Sequence, residues 1–171
     1  AVVGAGPMGI LVAQSARVMG AAQVLVTGSG DRLERSRLFA DQVVDHRRLD
    51  PVAEVRRLSD GGVDVAIDCA GTADSIRQAV EMTRKGGRVV FTGVPHEAAA
   101  LPMQKIVLEE LDLRGVRANR NTMERVLPLM AARRIDVAGL ITHRFPLEEF
   151  ARAYETFRDR VDGALKVLVH P

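Results

Sequence analysis

The sequence is poor in cysteine and in aromatic residues, and each shortage excludes a class of protein. Cys69 is the only cysteine among 171 residues, so the chain cannot form an internal disulfide framework or a zinc site built from several cysteines. Tryptophan is absent and aromatic residues make up 4% of the chain, which argues against nucleic-acid binding through stacked bases. No apolar run approaches the roughly 20 residues of a membrane helix, so no membrane partner is expected.

The rest of the composition is typical of one globular domain. Hydrophobic residues make up 47% and charged residues 27%, with a net charge of +2, and this balance is ordinary for such a protein. Because the sequence opens directly on the strand-like AVVGAG, we expect no signal peptide. Together with the single cysteine, this favours a cytoplasmic location.

Short apolar runs alternate with helix-length segments along most of the chain. Strands are predicted at residues 2–3, 24–27, 42–45, 63–68, 88–92 and 111–116. Helices are predicted at residues 8–19, 32–39, 52–58, 73–83, 103–109 and 122–133. This alternation predicts an α/β fold, and strands that are apolar throughout predict helices on both faces of the sheet. We therefore expect a doubly wound, parallel, six-stranded sheet of the Rossmann type.

The pattern changes after residue 139, where the sequence GLITHRFPLEEFARAYETFRDRVDGALKVLVHP begins. This stretch predicts a short extended piece, a helix from Pro146, a turn at Asp162 and Gly163, and a strand over residues 165–169. We therefore divide the chain into a dinucleotide-binding domain at residues 1–139 and a C-terminal helix–strand tail at residues 140–171.

The segment from Gly4 to Gly9, GAGPMG, has the G-x-G-x-x-G spacing. It follows a strand and opens a helix, which is the context that gives this spacing its meaning. Gly4 allows the tight turn, Gly6 lets the backbone approach a pyrophosphate, and Gly9 lets the helix pack closely on the strand. The N-terminus of the helix favours the anion. The alternative is a tight strand-to-helix turn that binds nothing.

Gly28 stands where dinucleotide-binding domains usually carry a carboxylate for the ribose, about 20 residues after the glycine loop. A carboxylate there would repel a 2′-phosphate, whereas glycine leaves room for one. Ser29 can donate a hydrogen bond, and Arg32 and Arg35 are near enough in sequence to supply charge. These residues favour NADP over NAD. Two alternatives stay open: Asp31 takes the ribose role, or Ser29 and Asp31 only cap the next helix.

Four segments resemble the medium-chain dehydrogenase/reductase family, in particular its zinc-dependent branch similar to sorbitol and threonine dehydrogenases. They are GAGPMG, VDVAIDCAGT, GGRVVFTGVP and LITHRFPLEEFARAYE. In order and spacing the resemblance covers essentially the whole chain. It implies the coenzyme-binding half of an enzyme that transfers hydride between a secondary alcohol or polyol and NAD or NADP. It also implies that the tail returns toward a separate catalytic domain.

The resemblance implies roles for individual residues. The pyrophosphate loop is matched by Gly4, Gly6, Pro7, Met8 and Gly9. Gly28 matches the position that is commonly aspartate in NAD-using members. Arg32 matches an arginine that lies beside the adenosine ribose. Because NAD-using members also have that arginine, Arg32 does not by itself indicate NADP. The adenine side is matched by Cys69, Ala70 and Gly71, and the nicotinamide side is matched by Thr92, Gly93 and Val94.

The catalytic zinc of such enzymes belongs to an N-terminal domain, and the resemblance implies that the zinc lies there and not in this chain. Only Ala1, Val2 and Val3 precede Gly4, against about 5–6 residues in a usual strand. Because hydride transfer needs the substrate oxygen polarised, which in such enzymes is done by the metal as a Lewis acid, we do not expect the chain to catalyse alone. The four histidines lack ligand spacing, and Cys69 is best explained as a small packing residue.

Leu111 to Val116 form the last predicted strand of the sheet, which dimeric members of the family pair across a two-fold axis. An apolar edge strand that stays unpaired promotes aggregation, so we expect a homo-oligomer through this edge. The alternative is that the following segment covers it.

Three rival functions were weighed against this interpretation. A short-chain dehydrogenase needs a tyrosine with lysine four residues later, whereas Tyr154 is followed there by Arg158. A methyltransferase would leave the THRFPLEE tail unexplained. A non-enzymatic dinucleotide-sensing module stays open, since it also predicts binding without turnover.

Overall fold

The protein is described by a computed structural model that covers residues 1–118 and 121–171. Six parallel strands form one sheet in the order β3-β2-β1-β4-β5-β6, and β7 and β8 form a separate parallel pair. The strands are β1 Val2–Val3, β2 Leu25–Gly28, β3 Gln42–Asp45, β4 Val63–Asp68, β5 Thr83–Phe91, β6 Asp112–Gly115, β7 Ile141–Pro146 and β8 Lys166–His170.

Helices connect the strands of the main sheet and lie on both of its faces. The connecting helices are α1 Pro7–Val18, α2 Gly30–Ser36, α3 Pro51–Leu58, α4 Ala73–Met82 and α5 Met103–Leu108. Helix α6 Met123–Ala131 follows β6, and α7 Phe150–Asp159 joins β7 to β8. The predicted doubly wound, six-stranded parallel sheet is confirmed. No helix in the described ranges is long and apolar enough to cross a membrane.

The short strand β1 shows why every strand at the centre of the sheet is apolar. Val3 belongs to a core cluster with Val55 of α3 and Val80 of α4. Its neighbour Val2 belongs to a second cluster, with Ala13 of α1 on the opposite face of the sheet. Since successive side chains of a strand point to opposite faces, both positions must be apolar when helices cover both faces.

The C-terminal tail forms a small unit of its own that is anchored to α1. Sequence periodicity predicted an extended piece here, and the structure pairs it with the last strand, so that β7, α7 and β8 form a βαβ unit. Leu140 and Leu165 pack against Ile10 of α1 in a third apolar cluster. The division of the chain at residue 139 stays a prediction.

The order of the strands places four loops together at one edge of the sheet. In a parallel sheet the carboxyl ends of all strands lie at the same edge, and ligands bind where the strand connections diverge. Here that point is β1, which lies between β2 and β4. The loops after β1, β2, β4 and β5 meet at this edge. All the residues predicted to contact a cofactor lie in these loops, at the end of β2 or in the first turns of α1 and α2.

Candidate functional site

The loop after β1 is folded tightly back on the start of α1. The N–H of Gly4 donates to the carbonyl of Thr27 at 2.9 Å, and Gly4 has a φ of +108°, a region that favours glycine. A Cβ on Gly9 would lie 1.8 Å from the Gly4 carbonyl oxygen. Both positions therefore require glycine for the fold, whether or not a ligand is bound.

Gly6 differs from its neighbours because the space beside it is open. A Cβ there would meet no atom within 4 Å. Gly6 is the N-cap of α1 and Pro7 is its first residue, while the first helical hydrogen bond is donated by Ile10 to the Gly6 carbonyl at 3.0 Å. The N–H groups of Met8 and Gly9 consequently have no acceptor within the helix. An open surface with unpaired N–H groups at a helix N-terminus fits the pyrophosphate of a dinucleotide.

Asp68, the last residue of β4, organises the next loop and was not among the predicted residues. Its side chain is fully buried. One carboxylate oxygen accepts from the N–H of Ala70 at 3.1 Å, and both accept from the N–H of Gly71 at 3.2 Å. The sequence could have indicated this residue, because it is a carboxylate at the end of a buried strand, directly before Cys-Ala-Gly.

The main chain of Asp68 also holds the loop after β5. Its carbonyl accepts hydrogen bonds from the N–H of Thr92 at 2.9 Å and from the Thr92 hydroxyl at 2.7 Å. A Cβ on Gly93 would lie 2.3 Å from the nitrogen of Gly71, so the two loops are in direct backbone contact. Val94 follows with its side chain 73% exposed, which leaves an apolar group at the edge where a nicotinamide was predicted.

Cys69 is a packing residue in this arrangement. Its side chain packs against the apolar cluster under α1. Burial raises the pKa of the Cys69 thiol to about 11, and the Thr92 hydrogen bond opposes this only in part. The thiol is therefore protonated at neutral pH, and a protonated thiol is a poor nucleophile.

The space beside Gly28 is occupied, contrary to our expectation that glycine leaves it free for a phosphate. A Cβ on Gly28 would lie 2.6 Å from the Cβ of Ala5 and 3.4 Å from the Cδ1 of Leu33. An aspartate could not take this position unless Ala5 moved. The absence of a carboxylate here thus has a packing reason within the glycine loop, and any room for a phosphate lies further out, over Ser29 and Gly30.

The sequence left two roles open for Ser29 and Asp31: both cap α2, or Asp31 binds the ribose. Ser29 is the N-cap of α2, yet its side chain makes no capping hydrogen bond. The Asp31 carboxylate lies beside the C-terminal tail, with its Oδ2 3.2 Å from the place of a Cβ on Gly163. Arg32 also turns to the tail, where its Nη2 donates to the carbonyl of Ala164 at 3.0 Å. The role of Arg32 at the ribose stays a prediction.

A metal ion has no evident ligands in the described parts of the chain, where no group of three histidine, cysteine, aspartate or glutamate residues could hold one. One of the two histidines in the tail has a structural environment, since His143 stacks on Phe145 with ring centroids 6.3 Å apart. We therefore assign no metal-dependent step to these residues.

A cavity of about 990 Å³ opens beside α1 and the first residues of β2 and β4. Thr92 is the one predicted cofactor residue among those that line it. Most of its lining belongs to the opposite edge of the sheet from the glycine loop, so the cavity is distinct from the predicted cofactor site.

Comparison with known proteins gives consistent matches over nearly the whole chain. Residues 7–132 match the protein family described as zinc-binding dehydrogenase. Human sorbitol dehydrogenase is 36% identical over 163 residues, which are 92% of this chain and 45% of that enzyme. The chain thus spans about half the length of the curated relatives it matches.

Solved structures with the same fold cover a similar share. The alcohol dehydrogenase TADH from Thermus sp. ATN1 is 33% identical with a TM-score of 0.90, over 99% of this chain and 50% of that one. A putative zinc-binding dehydrogenase from Sinorhizobium meliloti 1021, bound to NADP, is 30% identical with a TM-score of 0.88, over 99% of this chain and 51% of that one.

Proposed function

Because the chain belongs to the zinc-binding dehydrogenase family, we propose that it is the NAD(P)-binding part of an alcohol or polyol dehydrogenase. The observation that carries the proposal is the open surface over Gly6, next to the unpaired N–H groups at the start of α1. The neighbouring residues of the loop are closely packed. The open surface is therefore confined to the position where a pyrophosphate would bind.

The proposed contacts follow from where each loop lies. The pyrophosphate binds to the backbone from Gly6 to Gly9, where N–H groups and the helix dipole favour negative charge. The adenosine lies over Gly28, Ser29 and the loop that begins at Cys69. The nicotinamide lies over the backbone from Thr92 to Val94. When bound, the nicotinamide supplies the hydride chemistry, and these residues orient it and cover one of its sides.

The substrate of the whole protein is proposed from its relatives. Sorbitol dehydrogenase is 36% identical, which supports a secondary alcohol or a polyol as the hydride donor. The chain matches 45% of that enzyme, so the proposal assigns the zinc and the substrate contacts to a region outside this chain. By itself the chain binds the dinucleotide and turns nothing over.

The tail supports a partner domain because one face of α7 is apolar and exposed. The exposed apolar side chains are between 46% and 58% exposed; they are Phe150, Tyr154 and Phe157 of α7, with Leu147 and Val161 in the turns before and after it. The side that packs on the tail's own strands contains the buried Ala153 and Thr156. We propose that residues 140–171 contact the catalytic domain through this face, because a cluster of exposed apolar groups marks an interaction surface.

The outer edge of β6 supports a homo-oligomer. This strand pairs with β5 on one side and ends the sheet on the other. Val107, Leu108 and Val116 beside it are more than half exposed. Size-exclusion chromatography with light scattering tests the oligomer directly, and a monomer at all concentrations would contradict it. A cytoplasmic location belongs to the same proposal and is supported by the single cysteine, which forms no internal disulfide.

A titration of the chain with NADH and with NADPH, beside the Gly6→Val variant, tests the proposed function. A side chain at Gly6 meets no protein atom, so the free energy of unfolding should fall by no more than about 1 kcal/mol, the scale of an altered N-cap. Binding of both dinucleotides should weaken by about a hundredfold or more, because the valine occupies the pyrophosphate position.

Binding by the variant equal to that of the wild type would refute the proposed site. A non-enzymatic dinucleotide-sensing module is the second candidate, since it also predicts binding without turnover. The natural sequence upstream of Ala1 separates the two functions, since only the dehydrogenase needs a zinc-binding catalytic domain there.

A further inference from the structure

The end of β3 brings a second loop against the adenosine side of the site. β3 pairs with β2 in parallel, with Gly28 opposite Asp45. The N–H of His46 donates to the carbonyl of Gly28 at 3.1 Å, which continues the ladder past the end of the strand. Residues that follow Asp45 are thereby held beside residues that follow Gly28, although they are far apart in the sequence.

This strand pairing places the side chain of Arg47 at the adenosine side of the site. Its Nη2 lies 3.7 Å from the place of a Cβ on Gly30, which is ordinary contact distance. Its backbone N–H and its Nε lie 3.0 Å and 3.4 Å from the same oxygen of Asp45. These contacts fix the base of the side chain, while the two Nη groups make no hydrogen bond to any residue that the structure describes.

The charges around this point leave a positive excess. Asp45 is the carboxylate at the end of β3, and hydrogen bonds from Arg47 keep the pKa of Asp45 below its usual value. Arg48 also lies within 3.7 Å of Asp45, so two guanidinium groups share one carboxylate. Two other carboxylates are near: that of Glu34, which is paired with Arg37, and that of Asp31, which lies beside the tail at Gly163. An anion at Ser29 and Gly30 would therefore meet net positive charge.

The two other arginines near Gly28 in sequence are less suitable. Arg32 uses its Nη2 on the Ala164 carbonyl, and the desolvation of its half-buried side chain lowers its pKa. Arg35 occupies the last turn of α2, with an exposed side chain. Of these guanidinium groups, only that of Arg47 lies within 4 Å of the place of a Cβ on Gly30, just beyond Gly28.

We propose that Arg47 recognises the 2′-phosphate on the adenosine ribose, so that the chain selects NADP(H) over NAD(H). The inference rests on the proposed function, since it concerns the same dinucleotide site. A guanidinium group forms charge-assisted hydrogen bonds to phosphate and stays ionised at every accessible pH. Its Nη2 lies beside Gly30, two residues past Gly28, where the 2′-phosphate of a ribose bound at the end of β2 would project.

The test measures dissociation constants of NADPH and NADH by fluorescence, in about 0.15 M salt so that distant charges are screened. The wild-type chain should bind NADPH about tenfold more tightly than NADH, or more, equivalent to about 1.4 kcal/mol. In the Arg47→Gln variant the NADPH dissociation constant should rise about tenfold, and that of NADH should change by less than about twofold. The pair 2′,5′-ADP and 5′-AMP, used as competitors, should show the same difference.

Arg48→Gln is the matched control, because it removes the same charge beside the same carboxylate without the contact to Gly30. Its NADPH affinity should stay within about threefold of the wild type. Equal losses in both variants, an unchanged preference in Arg47→Gln, or tighter binding of NADH by the wild type would each overturn the role of Arg47. The last result would instead indicate that a carboxylate or the backbone binds the ribose diol.

The same titration distinguishes failure of this inference from failure of the proposed function. If neither dinucleotide binds the wild type, both fail. If both bind and the Arg47→Gln variant leaves their ratio unchanged, the dinucleotide site stands and only the selectivity residue is wrong. Arg47 is 60% exposed, so its substitution should not affect folding, and circular dichroism of each variant verifies this.

Discussion

The two ends of the candidate site are built in different ways. The loops after β1, β4 and β5 are closely packed: Gly9 lies against Gly4, Gly71 lies against Gly93, and buried Asp68 holds backbone N–H groups. The loops after β2 and β3 are open and charged, with Ser29 making no capping hydrogen bond and the Arg47 guanidinium near Gly30. At the packed end, backbone groups face the proposed ligand. At the open end, side chains face it.

This difference separates two tasks of a dinucleotide site. The pyrophosphate and nicotinamide are common to NAD and NADP, so they can be bound by backbone whose position the packing determines. The 2′-phosphate is the group by which the two cofactors differ, and an exposed side chain can change without loss of the fold. We therefore expect substitutions at the packed end to affect stability, and those at the open end to affect selectivity.

The largest effect is expected for Gly9→Ala, at the most crowded point of the packed end. The added methyl would lie 1.8 Å from the Gly4 carbonyl oxygen, so the loop or the helix must move. Because overpacking costs about 1–3 kcal/mol or more, the free energy of unfolding should fall by about 3 kcal/mol in urea denaturation. The matched control Gly6→Ala should lose no more than about 1 kcal/mol. Equal losses would mean that the loop adapts freely.

A smaller effect is expected for Asp68→Asn. The amide keeps one acceptor oxygen but places an NH₂ group where the second oxygen meets the Gly71 N–H, 3.2 Å away. Hydrogen bonds to buried charged groups contribute about 1.5–3 kcal/mol, so unfolding should become easier by about 2 kcal/mol. Both dinucleotides should bind less tightly by the same factor, since both need the loops that Asp68 holds. A loss confined to NADPH would contradict this division of tasks.

The smallest effect is expected for Ser29→Ala, compared with Thr72→Ala. Thr72 caps α4 in a reciprocal pair with Ser75, and its loss should cost about 1 kcal/mol of stability. Ser29 holds the same position on α2 without a capping bond, so its loss should change stability by less than about 0.5 kcal/mol. Ser29→Ala should raise the NADPH dissociation constant by about twofold to fivefold. A larger stability loss for Ser29→Ala than for Thr72→Ala would show that the open end also supports the fold.

The sequence predicted the packed end better than the open end. Glycine spacing in GAGPMG, and the apolar runs that end at Asp68 and Phe91, indicated both the loops and the elements around them. At the open end, Gly28 as the usual carboxylate position stays a prediction, and the space that was expected beside this glycine is filled. The Ala5 methyl fills that space, and a contact between residues of two different loops leaves no periodic signal.

The sequence by itself determined the parallel sheet, the glycine loop and the order of helices and strands, because hydrophobic period and turn residues act locally along the chain. Only the tertiary structure decided which distant residues meet. The pairing of β3 with β2 brings Arg47 to Gly30, and the pairing of β7 with β8 brings the tail beside Asp31 and Arg32. Strand order and register create these contacts, and both depend on how the whole sheet is packed.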